Sequence, residues 1–202
     1  NDAVALAAAL AAADGVLDLE GKTYRCDSIL ALRSGITIKN GKLDFSNAAI
    51  SAGLQGAGTA GTSSVVSSAA TGTQTITPAS TAGYSAGDLL RLRSSDTLAS
   101  GHQYAELFRL EQVSGANLLV DGAILGTYST TPLVEEITAI QDIRLEDLTI
   151  VAPSSGYAID LSLCQRVRMR NVNVECTAAA ESIRILNCYG VVMESCSIRQ
   201  KT

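Results

Sequence analysis

Four charged side chains share a spacing that could set them in a single row. Glu146, Arg170 and Glu194 follow one another at intervals of 24 residues, and Lys39 lies 107 residues before Glu146. Hydrolysis of a glycosidic bond needs two carboxylates about 5–9.5 Å apart. If residues 24 apart in sequence stand on neighbouring strands, equivalent positions are about 4.8 Å apart. Glu146 and Glu194, two strands apart, would then be separated by roughly 9–10 Å, marginally right for an inverting pair. They are the catalytic candidates. Arg170 between them opposes that chemistry, because a cation beside two carboxylates keeps both ionised and leaves neither as the acid. The row is therefore expected to be an ion-pair ladder, each exposed pair worth only about 0–1 kcal/mol.

Arg144 and Arg168 repeat the same interval. Together with Arg170 they are the substrate-binding candidates. They could hold an acidic sugar, or abstract the proton beside a uronate carboxylate in a lyase reaction; the alternative is a solvated basic stripe. Asp160 and Arg184, again 24 apart, are expected to be an outward cross-strand pair. In the middle of the chain, His102, Tyr84, Tyr104 and Tyr128 could contact sugars, since aromatic faces pack on pyranose rings; for His102 a plain loop role is the expectation.

No metal or cofactor is expected. His102 is the single histidine, no Cys-x-x-Cys occurs, and Asp142 and Asp147 do not fall on one face. The cysteines are Cys26, Cys164, Cys176, Cys188 and Cys196, an odd number that argues against a disulfide framework. Cys164 and Cys188 share the 24-residue step and would stand within disulfide range, but free buried thiols acting as small apolar residues are expected.

The elements that carry these residues repeat themselves. Residues 143–152, 167–176 and 191–200 align, with Ile159 above Ile183 and Cys164 above Cys188 in a second column. In each piece apolar residues alternate, as in Ile143 and Leu145, then a short polar residue breaks the run, and alternation restarts one position out of phase, as in Leu148 and Ile150. Alternation of period two marks a strand with one buried face. The slip at Asp147, Asn171 and Ser195 predicts a bend, because such residues tolerate unusual backbone angles and bond locally to the backbone. Residues 36–45 fit the same template with Asn40 at the bend. Short strands stacked at a fixed period form a solenoid, here an all-β parallel β-helix with 24-residue coils. A β-sandwich with accidental spacing is the alternative.

The rest of the chain is organised around that coil. Residues 2–13 are Ala-rich and predict a helix, capped by Asn1 or Asp2 and ended at Asp14-Gly15, with Leu6 and Leu10 as an apolar stripe. It would cover the open first coil within residues 1–15, ahead of first rungs at 16–49. Residues 46–66 are rich in Gly, Ala and Ser and read as a flexible exit. Four strand-like segments follow at 73–77, 88–93, 104–113 and 118–121, and predict a small antiparallel barrel inserted over 50–138 with flexible linkers. Rungs resume at 139–202, with residues 177–180 as a loop. The abrupt start at Asn1 and stop at Thr202 suggest a piece of a longer protein.

The net charge of −5, with both signs interspersed, argues against nucleic acid or an anionic membrane as partner. No apolar run approaches the ~20 residues of a membrane span, and the Ala-rich start lacks the basic region of a signal peptide.

The opening has a recognisable form. The Ala-rich helix, Leu-Asp-Leu-Glu-Gly-Lys-Thr-Tyr-Arg at 17–25, a short strand, Ser34-Gly35, and Ile-Thr-Ile-Lys-Asn-Gly at 36–41 resemble the start of pectate-lyase-like right-handed parallel β-helices of bacteriophage tailspikes and related tail proteins. The resemblance covers 2–45 and 139–200, and loosely the inserted barrel. The acidic motif that usually precedes the helix is reduced here to Asp2. The resemblance implies a homotrimer in the phage virion, made in the host cytoplasm, working beside other tail proteins. It would bind, and as a depolymerase (hydrolase or lyase) cleave, a bacterial surface polysaccharide, with the active site expected outside these residues. A non-catalytic structural or adhesive tail or baseplate protein is the first alternative, and a secreted bacterial polysaccharide lyase or epimerase the second.

Overall fold

A computed structural model describes residues 2–97, 103–176 and 181–200. The expected loop at 177–180 and His102 lie outside the described residues. The chain divides into two compact units, Asn1–Gly58 with Ile140–Thr202, and Thr59–Ala139.

The first unit opens with helix α1 (Ala3–Ala12). Strands β1 (Val16–Asp18), β2 (Thr23–Arg25), β3 (Leu30–Ala31), β4 (Thr37–Asp44) and β5 (Ala49–Ala57) follow. The second unit contributes β6 (Thr59–Ser68), β7 (Thr75–Pro78), β8 (Leu89–Thr97), β9 (Gln103–Ser114), β10 (Asn117–Val120) and β11 (Leu133–Thr138). The chain then returns as β12 (Ile140–Val151), β13 (Ser155–Ser162), β14 (Cys164–Cys176), β15 (Glu181–Leu186), β16 (Tyr189–Glu194) and β17 (Ser197–Gln200).

In the first unit every strand pair is parallel. One sheet runs β1-β4-β12-β14-β16, with β2 beside β4 and β17 beside β14, and the other runs β15-β13-β5-β3. The register fixes the coil period: Ile143 pairs with Val167 and Val167 with Val191, and Ile159 pairs with Ile183, each a step of 24. Thr37 pairs with Arg144 across the insertion, a step of 107. This is a parallel β-helix. Its core is stacked from equivalent residues, Ile38 on Leu145 on Met169, and Leu43 on Ile150 on Val174, with all six buried. Each such side chain contributes about 1.5–3 kcal/mol by leaving water.

The bends fall where the phase slips. Asn40, Asp147, Asn171 and Ser195 all have left-handed backbone, with φ of 59°, 53°, 52° and 53°. Two further columns of the same kind were not apparent in the residue types. Gly35, Asp142, Arg166 and Gly190 form one, with φ from 52° to 72°, and Leu163 and Asn187 form the other, at 53° and 49°. Left-handed backbone costs an ordinary residue roughly 1–2 kcal/mol, which the stacking above and below must offset.

Helix α1 buries Ala3, Leu6 and Leu10 against the coil core. Asp2 is its N-cap residue but its side chain does not cap: the carboxylate accepts the Arg25 N–H at 2.9 Å, tying the helix start to β2. At the other end the Arg33 guanidinium donates to the carbonyls of Leu10 and Ala13, which suits the negative end of the helix.

Residues 46–66 are not a flexible exit. Most of them lie in β5 and β6. The glycines that made this stretch look loose are needed by the packing. A Cβ on Gly53 would sit 2.7 Å from the Phe45 ring and 2.9 Å from the Ala158 carbonyl, and one on Gly56 would meet the Cys164 sulfur at 2.9 Å.

The second unit is a closed antiparallel barrel of six strands, in the order β10-β7-β6-β11-β8-β9. Its own core includes Ile76, Leu90, Leu92, Phe108, Leu118 and Val134. Strands β7 to β10 correspond to the four strand-like segments; β6 and β11 complete the closure. The Glu135 carboxylate is buried and is held by Arg91 at 2.5 Å and Arg93 at 3.0 Å.

Candidate functional site

The β4–β12–β14–β16 face of the coil carries the charged rows. Glu146 is in register with Lys39 on one side and Arg170 on the other, and Arg170 with Glu194. The sequence-derived column is therefore a physical row. One ion pair within it departs from straight stacking. Glu146 accepts from Arg170 at 3.5 Å, but Glu194 is taken by Arg168 at 2.8 Å. Lys39 turns to Asp18 at 3.4 Å. Strand alternation places Arg168 and Arg170 on the same outer face, so a long guanidinium spans the diagonal between rungs.

A second pairing, missed in the sequence, sits at a left-handed corner. Arg166 donates to both Asp142 oxygens, at 2.8 and 2.6 Å, and to Gln141 at 2.7 Å. The 24-residue step from Asp142 to Arg166 was the available signal. Arg144 makes no ion pair among the described residues and stands exposed between Thr37 and Arg168. The structure thus brings Arg144, Arg168 and Arg170 onto one face with Glu146 and Glu194, but two of the three arginines are spent on those acids.

The shifted carboxylates of the coil all move one way. The Arg166 guanidinium holds Asp142 below the ordinary carboxylate range. The Glu20 N–H, followed by Asn40, does the same for Asp18, and Arg184 does it for Asp160. A general acid at neutral pH needs the opposite shift.

On the second sheet, Asp160 pairs with Arg184 as expected, at 2.8 and 2.7 Å, with Gln55 at 3.3 Å on its other side. It is not solvent-facing: its side chain is 4% exposed, covered by those two partners, while Arg184 lies 4.6 Å from the Tyr157 ring centroid. At the bend, Asn171 donates to Asp147 at 2.8 Å, a rung-to-rung amide–carboxylate contact.

The barrel tyrosines divide. Tyr104 and Tyr128 pack edge-to-face at 6.3 Å, and the Tyr128 hydroxyl donates to Glu106 at 2.8 Å. Tyr128 is part of the barrel core and Tyr104 packs against it, partly exposed. Tyr84 is half-buried, donates to the Val134 carbonyl at 3.1 Å, and lines an open cleft of about 450 Å³ with Thr62, Ser63, Ser64, Ser80 and Glu136. The cleft draws on three separate segments, and no local motif announces it.

The five cysteines are free. Among the described residues no group of His, Cys, Asp or Glu is placed to hold a metal ion, and no helix is long and apolar enough to cross a membrane.

No family model and no curated protein matches the sequence. Solved structures do match the fold. The tailspike gp61 of Pseudomonas phage phi297 superposes with a TM-score of 0.77 at 15% identity, over 99% of this chain and 42% of that one. The tailspike gp49 of Pseudomonas phage LKA1 gives 0.71 at 18% identity, over 96% and 39%. The gp54 tailspike of Acinetobacter baumannii bacteriophage AP22, determined in complex with A. baumannii capsular saccharide, gives 0.67 at 10% identity, over 97% and 44%. The chain spans about two-fifths of the length of these proteins, and across nearly all of its own length it has the fold of a phage tailspike segment.

Proposed function

We propose that this chain is a section of a tailspike-like virion protein that binds a bacterial surface polysaccharide. The observation that carries the reading is the match of nearly the whole chain to three phage tailspikes, one of them bound to capsular saccharide. In this reading the parent is a homotrimer in the phage tail, in contact with other tail proteins. Arg144 is the side chain on the coil face that remains available to an acidic sugar, with Arg168 and Arg170 released to it only by exchanging partners. A depolymerase centre, hydrolase or lyase, belongs to other parts of the parent. The downward shifts of Asp142 and Asp18 and the pairing of Glu146 and Glu194 support a structural role for this face.

The same pairing favours a second reading, a non-catalytic adhesin or rod. The two separate on the full-length parent incubated with surface polysaccharide from its host. Shortened chains with unsaturated uronate identify a lyase, and shortened chains without it a hydrolase. Intact chains that remain bound identify the adhesin. Absence of binding to any host surface polysaccharide overturns both.

A further inference from the structure

The barrel cleft has features that its surroundings do not require. Its floor is a β-bulge. Ser63 pairs with Glu135 and Ala60 with Ile137, so Gly61 and Thr62 together face the single residue Glu136. Bulges re-aim side chains, and this one brings Thr62 and Glu136 to the same opening. The opposite wall is the segment 80–84, which turns at Gly83 with φ of 91° and is anchored by the Tyr84 hydroxyl on Val134.

The lining is chemically specific. Thr62, Ser63, Ser64 and Ser80 supply hydroxyls that both donate and accept, Glu136 supplies two acceptor oxygens, and the body of Tyr84 is apolar. Among the described residues the side chains of Thr62, Ser63, Ser64 and Glu136 make no hydrogen bond or ion pair within the barrel. Glu135, the neighbour in sequence, takes Arg91 and Arg93, and among the described residues no cation makes an ion pair with Glu136. At about 450 Å³ the cleft falls within the ~300–1,000 Å³ common for ligand sites.

We propose that this cleft is a saccharide subsite for a neutral or amine-bearing pyranose, distinct in charge preference from the arginine-bearing face of the coil. A carboxylate accepts two neighbouring sugar hydroxyls, the serine and threonine hydroxyls serve the remainder, and the Tyr84 ring meets the apolar C–H face. The single uncompensated negative charge welcomes an ammonium and repels a uronate. The proposal deepens the polysaccharide-binding reading, but its failure leaves that reading intact, because that reading rests on the match to tailspikes and not on the cleft.

The test is a titration of the whole chain, followed by amide proton–nitrogen spectra, with methyl α-glucopyranoside, glucosamine and glucuronate at about 50 mM, since a single sugar unit binds in the millimolar range. The expected result is movement of the amides of 62–64, 80–84 and 136 with the glucoside and with glucosamine, and none with glucuronate. Glucosamine binds several-fold more tightly than the glucoside, and Glu136→Gln removes that difference. Ser63→Trp fills the cleft and abolishes the shifts at an unchanged thermal midpoint. Two results overturn the proposal: cleft amides unmoved by both the glucoside and glucosamine, or moved equally by glucuronate. The glucosamine preference and its loss in Glu136→Gln decide the matter even if the tryptophan variant does not fold. Continued binding of host polysaccharide by the parent in either overturning case removes the cleft and retains the broader reading.

Discussion

Arg168 donates to the Glu194 carboxylate at 2.8 Å, reaching diagonally past Arg170, which is the residue in register with Glu194. Both acids of the charged row are thus held, Glu194 by Arg168 and Glu146 by Arg170 at 3.5 Å. Neither has the isolation that general acid chemistry requires. Exposed pairs of this type contribute little to stability, because ordering two long side chains in high dielectric offsets most of the attraction. Glu194→Gln and Glu146→Gln should each leave the thermal midpoint within about 2 °C of the parent chain. Turnover of polysaccharide by the parent, where there is any, should be unchanged. A loss of about a hundredfold in a still-folded variant would return these two residues to the catalytic role.

The Asp160–Arg184 pair should behave differently, because the Asp160 side chain is only 4% exposed. Arg184 first, with Gln55 adding to it and burial opposing both, keeps the Asp160 carboxyl below the usual range. A carboxyl lowered in the folded state adds stability above its unfolded value of about 3.9, and that stability is lost as pH falls through the folded value. Asp160→Asn should therefore cost about 1–2 kcal/mol at pH 7. The gap between variant and parent should begin to narrow below about pH 4 and close once the pH has fallen past the lower, folded value. Urea denaturation at pH 7 and pH 3 checks the sign; a gap that widens in acid would mean that the carboxylate is not the stabilising form.

Gly53 faces the Phe45 ring and the Ala158 carbonyl at distances no Cβ tolerates, and both neighbours are fixed in the coil. Gly53→Ala should lower stability by about 1–3 kcal/mol, as overpacking does elsewhere. Gly56→Ala should cost less, since the atom nearest to it is the Cys164 sulfur, 2.9 Å away, rather than a ring flanked by backbone. Denaturant midpoints of the two variants give the order directly, and equal midpoints would show that β5 moves to relieve both.

These glycines also explain which parts of the molecule were legible in the sequence. The bends at Asn40, Asp147, Asn171 and Ser195 were readable, because a phase slip and a short polar residue coincide at each. The corner at Gly35, Asp142, Arg166 and Gly190 was not, because Arg166 takes left-handed backbone only under the hold of the rungs around it. Strands β5 and β6 were hidden because close packing in β5 replaces apolar side chains by glycine, and β6 is mostly Ser and Thr beside Val66. The charged columns were legible as rows, and so were the in-register pairs Asp160–Arg184 and Glu146–Arg170, while the diagonal pair Arg168–Glu194 was not, since there side-chain reach rather than register chooses the partner. Among the tyrosines, only tertiary packing separates Tyr84, on the cleft, from Tyr128 in the barrel core and Tyr104 packed against it.

Cys188 and Cys164 form the last column with a measurable consequence. They occupy equivalent places on successive rungs, 24 residues apart, and both are free. Cys164 is fully buried and donates to the Gly56 and Ser162 carbonyls at 3.4 and 3.5 Å, and its thiol is pushed up by the neighbouring Cys188 together with burial. The same neighbourhood favours the Cys188 thiolate and holds Cys188 below the ordinary thiol range, and Cys188 is only partly buried. Burial pushes Cys26 the other way, to about 11. The thiolate is the nucleophile, so at pH 7.5 iodoacetamide should modify Cys188 in this chain well before Cys26 or Cys164. Cys164→Ala removes the neighbouring thiol and should slow that reaction several-fold, as Cys188 returns toward an ordinary thiol near 8.5. Peptide mapping of labelled protein over time follows each site separately. A Cys188 rate that does not respond to Cys164→Ala would mean that its local backbone, and not the neighbouring thiol, sets its reactivity.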